Sequence, residues 1–396
     1  MLGRVRIREG VRDRCPGALT LHSAADGLLA RVRLPGGLLP AAALRALGPV
    51  ELTSRGNVQL RNVDPAIGEL VASLGLLPSA THERVRNIVA SPLAGLDRPG
   101  PRLDALVAEL DAGLIGRPDL AGWPGRFLFG LDDGRGDILA LRPDLAAVAV
   151  GDRWVLHPGA ADVDRADVAA ALLDAAEAFV RLASPAWRVA ELPGGAAALG
   201  LRVTPSPPAD PARPPAPASP EPPTEPAGRL SAAASPPGTD LPGPYHPDPP
   251  LRTEPVGPYQ QPDGRWSVVV LAPLGQLTAA QGALLADHAA GPLRVTPWRS
   301  VVVADLPDPA PLLATASEAG LGVTTTSPWY GLSACTGRPG CASALADVRA
   351  DAAASCESGS RGRVHWSGCE RRCGRPGGAH LEMLATPTGY RAGWSA

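Results

Sequence analysis

The sequence predicts an α+β protein in which two similar strand–helix–strand units pack as one duplicated unit. Further mixed α/β domains follow each unit, and the C-terminal one carries paired cysteines. Three observations predict this: the two halves open alike, a proline-rich stretch divides them, and five of the six cysteines lie between Cys335 and Cys373. A chain of 396 residues suits two or three domains, at roughly 100–200 residues each. With 45% hydrophobic and 19% charged residues and a net charge of −2, the balance is globular. It is not that of an acidic tail or a basic nucleic-acid binder. Lysine is absent, so all 37 basic residues are arginine.

The first half reads as a strand over Leu28–Leu34, a short helix over Pro40–Leu47 and a strand over Val50–Arg61. The second half repeats the order, with a strand over Trp266–Ala272, a helix over Thr278–Ala290 and a strand over Leu293–Ala304. Leu-Pro-Gly in one and Pro-Leu-Gly in the other turn the chain into the helix. Each unit alone leaves an apolar face exposed, so the two are expected to pack together. Between them Thr204–Pro262 holds 21 prolines, a composition that predicts a disordered linker. Helical spacing marks Arg102–Leu114 and Asp164–Ala183. Arg126–Leu131, Asp137–Leu141 and Ala146–Leu156 read as an antiparallel strand set. An alanine-rich helix is expected over Ala342–Ala354, and short strands over Arg363–Ser367 and His380–Ala385.

The arginine-rich start, with Arg4, Arg6, Arg8, Arg12 and Arg14, lacks the apolar core of a signal peptide. No apolar run approaches the roughly 18–20 residues that span a bilayer, and the expected location is the cytoplasm, with neither nucleic acid nor membrane as partner. Six cysteines are too few for a disulfide scaffold in a chain this long.

Cys335-x5-Cys341, 27 residues, then Cys369-x3-Cys373 is the strongest signal. Four thiolates from two glycine-bearing loops can hold one [4Fe–4S] cluster. Zinc sites use shorter spacings, and inert buried cysteines would not come in pairs. Cys356 reads as a helix-end cysteine and Cys15 as an ordinary loop cysteine.

The cysteine spacing resembles that of the siroheme-dependent sulfite and nitrite reductases. Ala30-Arg31-Val32-Arg33-Leu34-Pro35-Gly36-Gly37 is similar to the family's first arginine strand. Thr53, Arg55, Asn57 and Gln59 resemble its T-x-R-x-N-x-Q tetrapyrrole-carboxylate motif. Val85-Arg86-Asn87 with Ser91-Pro92-Leu93-Ala94-Gly95 resembles its second arginine segment. Within that superfamily Cys15-Pro16-Gly17, Thr296-Pro297-Trp298-Arg299 and the loop Ser367–Gly378 look like the precorrin-3B synthases, monooxygenases of aerobic cobalamin synthesis.

The resemblance implies ferredoxin-like half-domains at 1–78 and 263–320, a reductase-like α+β domain at 79–203, the linker at 204–262 and a cluster-binding domain at 321–396. It also implies a bridge from Cys373 to a tetrapyrrole iron in siroheme enzymes. Catalytic contacts are expected from Arg31, Arg86 and Arg126, and tetrapyrrole contacts from Arg33, Arg55, Asn57, Gln59, Arg371 and Arg372, with Arg299 adding another. Arginine grips carboxylates bidentately, which suits a corrin precursor bearing about eight of them. Arg61, Arg102 and Arg181 read as surface arginines.

One departure separates the readings. The reductases carry a lysine pair where this chain has Arg126 and Leu128, and arginine is a poor proton donor. That favours oxygenation of precorrin-3A by O2, with electrons from a ferredoxin or an NAD(P)H-linked reductase. A mononuclear non-haem iron is chemically attractive there, with His22, His365 and His380 as candidate ligands. The alternatives are a siroheme-dependent sulfite or nitrite reductase, and a non-catalytic iron–sulfur tetrapyrrole carrier.

Overall fold

A computed structural model describes residues 15–159, 161–182, 184–200, 254–356 and 362–395. The first half runs β1 (His22–Ala24), β2 (Gly27–Val32), β3 (Leu38–Leu39), α1 (Ala41–Leu47), β4 (Val50–Leu52), β5 (Val58–Arg61) and α2 (Ile67–Ser73). A middle portion follows with β6 (Ile88–Ala90), α3 (Asp104–Ile115), β7 (Phe129–Asp132), β8 (Leu145–Val150), β9 (Arg153–His157), β10 (Asp162–Val163) and α4 (Val168–Arg181). The second half comprises β11 (Gly257–Gln260), β12 (Trp266–Leu271), β13 (Gln276–Leu277), α5 (Ala279–His288), β14 (Leu293–Val295), β15 (Ser300–Leu306) and α6 (Ala310–Glu318). Last come β16 (Leu332–Ala334), α7 (Val348–Ser355), β17 (Val364–Ser367), β18 (His380–Thr386) and β19 (Gly389–Ser395).

The two halves build matching antiparallel sheets, β1-β2-β5-β4-β13 and β11-β12-β15-β14-β3. Each sheet ends on a strand lent by the other half. Leu38 and Leu39 pair with Arg294 and Leu293, while Gln276 and Leu277 pair with Glu51 and Val50. The exchange needs a sharp turn after β2 and again after β12. Gly36 and Gly37 supply it in the first half with φ of 62° and 73°, and Leu274 and Gly275 in the second with 50° and 76°. α1 packs on α5, and one apolar core that includes Val32, Leu44, Val58, Val268, Leu285 and Val301 runs through both halves. β12 is buried on both faces: Val268 and Val270 enter this core, and Val269 meets Leu93 and Leu96 behind it. That double burial explains its unbroken apolar run.

Several elements differ from the sequence reading. Val50–Arg61 and Leu293–Ala304 are each a hairpin of two strands, because the polar turns at 53–57 and 296–299 interrupt them. In the middle sheet, β10-β9-β8-β7-β6, the strands β6, β7 and β8 are parallel, and only β9 and β10 run antiparallel. Asp137–Leu141 is not a strand. The Asp132 carboxylate accepts from the backbone N–H of Gly134, Gly136, Ile138 and Leu139 and winds the segment into a turn. α7 begins six residues after the expected start, where Asp347 accepts from Ala350 N at 3.2 Å and caps it.

The proline-rich reading also ran too far. Gly257–Gln260 pair with Trp266–Val269 as an edge strand, where Pro258 needs no N–H partner. The rest of that stretch, 204–253, and the arginine-rich start, 1–14, lie outside the described residues. The middle core is aromatic: all three phenylalanines of the chain, Phe127, Phe129 and Phe179, gather around Trp123, whose ring lies 4.0 Å from that of Phe127. The final sheet, β16-β17-β18-β19, packs its Val364, Trp366, Leu381 and Met383 face with Val348 and Ala352 of α7.

Candidate functional site: an arginine cradle and a four-thiol cluster

Period-two alternation puts Arg31 and Arg33 on one face of the β2 extension. Arg31 lies opposite Gln59 of β5 and donates to its Oε1 at 2.8 Å, and Gln59 Nε2 in turn donates to Glu51 at 2.8 Å. Arg33 is only 3% exposed, yet its Nε and Nη1 have no hydrogen-bond partner among the described residues; Arg31 Nε is likewise buried and unpaired. Burial, reinforced by Arg31 and Arg55, pushes the Arg33 guanidinium down to about 9, against the pull of Cys15 and Glu83. Burial and the charge of Arg188 push Arg55 down to about 10. Arg188 is itself paired with Asp144 at 2.6 Å. Like charges held together out of water with unused donors form a seat for a polyanion.

The hairpin turn that presents Arg55 is knotted by Thr53, whose Oγ1 accepts from Asn57 N at 3.1 Å. Asn57 does not face a ligand. Its Oδ1 accepts from Leu34 N at 2.8 Å and its Nδ2 donates to Asn87, so it fixes the strand end beside Arg33. Arg86 is held by Asp111 through two 2.7 Å bonds, and this buried pair ties it to α3. Arg126 is exposed and lies 5.1 Å over the Trp187 ring. Leu128 is buried against Val89 and Ile138, so its side chain belongs to a small core. Arg61, Arg102 and Arg181 make ion pairs with Asp26 and Glu51, with Asp305 and with Glu177.

Sequence reasoning missed two neighbours of the cradle. Arg188 acts on Arg55 from 133 positions away, with no local signal. Cys15 exerts its charge on Arg31, Arg33 and Arg55. It is brought there by a 3.1 Å backbone bond from Arg31 N to Gly17 O and by Glu83, which accepts from Leu19 N and Thr20 Oγ1.

The four paired cysteines sit in two loops at the carboxyl ends of the parallel strands β16 and β17. Cys335 N donates to Trp366 O at 2.9 Å, and Gly368 N donates to Cys335 Sγ at 3.1 Å. A side chain at Gly368 would run into Ala344 at 2.8 Å. Burial first, then the charges of Cys335, Cys369 and Cys341, push the Cys373 thiol up, so all four bear on one point. A single tetrahedral zinc with bonds of about 2.3 Å holds its sulfurs roughly 3.8 Å apart. Among the described residues, no three of these sulfurs come within 4.8 Å of one another. The donor set and spacing fit an iron–sulfur cluster.

Arg371 is exposed and lowers the Cys373 thiol, whereas Arg372 is taken by Glu370 and Glu382 at 2.9 Å each. Arg299 is half-buried and donates to Gly374 O in the cluster loop at 3.1 Å. His22 is exposed on β1. His365 and His380 are buried edge-on with ring centres 6.4 Å apart, bonded through Nδ1 to Ser333 and Gly378. Glu382 bears on His380, and among the described residues the pair joins no third ligand group within 4.8 Å. Among the described residues only Asp132, Asp133 and Asp137 converge as a trio of ligand groups, and backbone amides, Arg135 and Ser91 occupy their oxygens.

Paired half-sheets, a mixed middle layer and a cysteine-bearing mixed sheet make up a fold found in a solved structure. The structure of the Mycobacterium tuberculosis NirA protein matches 93% of this chain and 73% of its own with a TM-score of 0.64, at 20% identity. In sequence, 152 residues are 30% identical to the assimilatory ferredoxin-dependent nitrite reductase of Haloferax mediterranei, 34% of this chain and 25% of that one. The ferredoxin–nitrite reductase of Synechococcus elongatus is 30% identical over 127 residues, 27% and 25% of the two chains. The chain thus spans about a quarter of the length of these curated relatives. No family model matches it. No helix among the described residues is long and apolar enough to cross a membrane.

Proposed function

We propose that this chain is an oxidoreductase of the nitrite/sulfite reductase type that binds a polycarboxylate tetrapyrrole in the arginine cradle and a [4Fe–4S] cluster on Cys335, Cys341, Cys369 and Cys373. The observation that carries it is Arg33, a buried guanidinium with two unused donor nitrogens among like charges. A macrocycle rimmed with carboxylates would take up those donors, each charge-assisted bond contributing about 1.5–3 kcal/mol. The cluster would supply one-electron transfer beside it. Arg31, Arg33 and Arg55 bind and orient, Gln59 and Asn57 hold them in place, and Gly368 stabilises the Cys335 thiolate.

Two chemistries suit this arrangement. The names of the relatives support the first, a reduction of nitrite with electrons from ferredoxin, to which the sequence resemblance adds siroheme as the tetrapyrrole. A property of the chain favours the second: with no lysine anywhere, the cradle has no ammonium proton donor for a multi-proton reduction of an oxyanion. On that second reading the tetrapyrrole is the substrate. The activity is that of precorrin-3B synthase: one atom of O2 enters precorrin-3A at C20, the ring-A acetate closes a γ-lactone, and the other oxygen leaves as water with two donor electrons. Fold alone does not choose between them.

Anaerobic purification with an ultraviolet–visible spectrum and iron and sulfide analysis separates the two. Iron–sulfur absorbance without chlorin bands, together with O2 consumption on adding precorrin-3A, supports the synthase. Strong siroheme bands with nitrite or sulfite turnover establish the reductase instead. Protein that assembles no cluster overturns both.

A further inference from the structure

The segment that follows Cys15 is pinned beside the arginine cradle. Gly17 O accepts from Arg31 N at 3.1 Å. Glu83 accepts from Leu19 N at 2.6 Å and from Thr20 Oγ1 at 2.7 Å, and Ala18 between them is buried in the core shared by both halves. Only glycine fits at 17, because a side chain there would run into the Glu83 carboxylate. Pro16 then stiffens the backbone between Gly17 and Cys15. Cys15 is thus held two residues from the Arg31 contact, and it is half-exposed. Burial lowers the Arg31 guanidinium, and the largest charge that pulls it back up is that of Cys15, ahead of Glu51. Cys15 also bears on Arg33 and Arg55. A second observation points to an anion at this spot. Arg33 is 3% exposed, yet its Nε and Nη1 have no hydrogen-bond partner among the described residues. Guanidiniums beside a thiol stabilise its nucleophilic thiolate form and draw in the anions that can react with it.

We propose that Cys15 is a modification site for small disulfides that bear carboxylates, with oxidised glutathione as the type, and that the adduct closes the cradle. The Cys15 thiol gives its proton to solvent, and the thiolate attacks one sulfur of the disulfide. The S–S bond breaks, one half leaves as its thiolate, and the other half stays on Cys15 as a mixed disulfide. Carboxylates of the bound half take the Arg33 donors that a tetrapyrrole carboxylate would take, so adduct and macrocycle exclude each other. Excess thiol reverses the step by the same exchange. The inference rests on the cradle reading above and adds a redox control to that site.

The test labels the anaerobically purified holoprotein with dithiobis(nitrobenzoate), a dianion, and in parallel with dithiodipyridine, which is uncharged. Peptide mass spectrometry gives the rate at each cysteine. Cys356 at the end of α7, whose Sγ lies 3.6 Å from Pro328 O and from Ala352 O, is the internal reference. Relative to Cys356, Cys15 is expected to prefer the dianion by at least about tenfold. Arg33→Met should cut that preference several-fold and leave the rate with the uncharged reagent unchanged. Oxidised glutathione should weaken uroporphyrin binding to the parent, followed by fluorescence, by at least about tenfold, and dithiothreitol should restore it. In Cys15→Ser, oxidised glutathione should leave uroporphyrin binding as it was. No preference for the dianion at Cys15, or a glutathione effect that persists in Cys15→Ser, overturns the proposal, while uroporphyrin binding by the reduced parent keeps the cradle reading intact. A reduced parent that binds no uroporphyrin defeats the cradle reading, and the redox control with it.

Discussion

Arg33 is a charge folded away from water beside other charges of its own sign. A cation whose folded pKa is pushed down to about 9 works against folding wherever it is protonated. Its cost is therefore present in full below pH 9 and fades as pH climbs through that value. At about 1.4 kcal/mol per unit, the cost is on the order of a few kcal/mol. Arg33→Met is then expected to raise the melting temperature of the ligand-free protein while weakening binding of uroporphyrin, an eight-carboxylate probe, by at least about tenfold. A melting temperature that falls, with binding intact, would show Arg33 to be an ordinary structural residue. Asp137 stores strain of the same kind: burial first, then Asp132, push its carboxyl up to about 7. A carboxyl raised in the fold loses stability as pH rises from about 4 toward 7. Asp137→Asn, which can still accept the Ser91 hydroxyl, should stabilise the protein at pH 8 and make no difference at pH 4, as thermal melts at the two pH values would reveal.

At the level of elements, the exchanged strands hold the halves together, and Gly37 is where they cross. A Cβ there would lie 2.0 Å from Val295 O, at a φ of +73° that L side chains rarely adopt. Gly37→Ala should cost more than about 3 kcal/mol and lower cooperative melting of both half-sheets together. Melting of one half alone would contradict the shared core. The Leu-Pro-Gly and Pro-Leu-Gly turns were legible as punctuation, but the strand each one sends across to its partner was not, since two residues carry no period. The first hairpin was hidden because Val50, Leu52, Val58 and Leu60 keep one alternating apolar pattern on either side of a five-residue turn. The parallel order of β6, β7 and β8 follows from how long connections wrap, which local pattern does not encode. At the site, spacing made the cysteines legible and alternation made Arg31 and Arg33 so. The pairing of Arg86 was not legible, because its partner, Asp111, stands 25 residues on.

Across the whole molecule the cysteine-bearing sheet is tied to the cradle through Glu51. This carboxylate, 9% exposed on β4, accepts from Gln59 at 2.8 Å, from Arg61 Nε at 3.0 Å and from Arg349 of α7. Arg61 then reaches Thr336, next to Cys335, at 2.8 Å. Two arginines, Arg61 and Arg349, thus bring the loop of Cys335 and helix α7 against the sheet that carries Arg31 and Gln59. Burial alone would raise the Glu51 carboxyl, but the bonds and charges of Arg349 and Arg61 outweigh it, and the net shift is downward. A carboxyl lowered in the fold adds stability above its unfolded pKa of about 4.3, and that stability disappears as pH falls through the folded value. Glu51→Gln takes the carboxylate away from two half-buried guanidiniums, of which Arg61 keeps Asp26 as a partner, a change expected to cost about 1–3 kcal/mol. The loss should appear at pH 7 as a lower melting temperature and faster hydrogen exchange in β16–β18. It should shrink once the pH falls below the folded pKa of Glu51, where the parent's own carboxyl is protonated and equally unable to hold the arginines. An equal loss at both pH values would mean that Glu51 acts by packing, and that the cluster unit is joined to the cradle by other contacts.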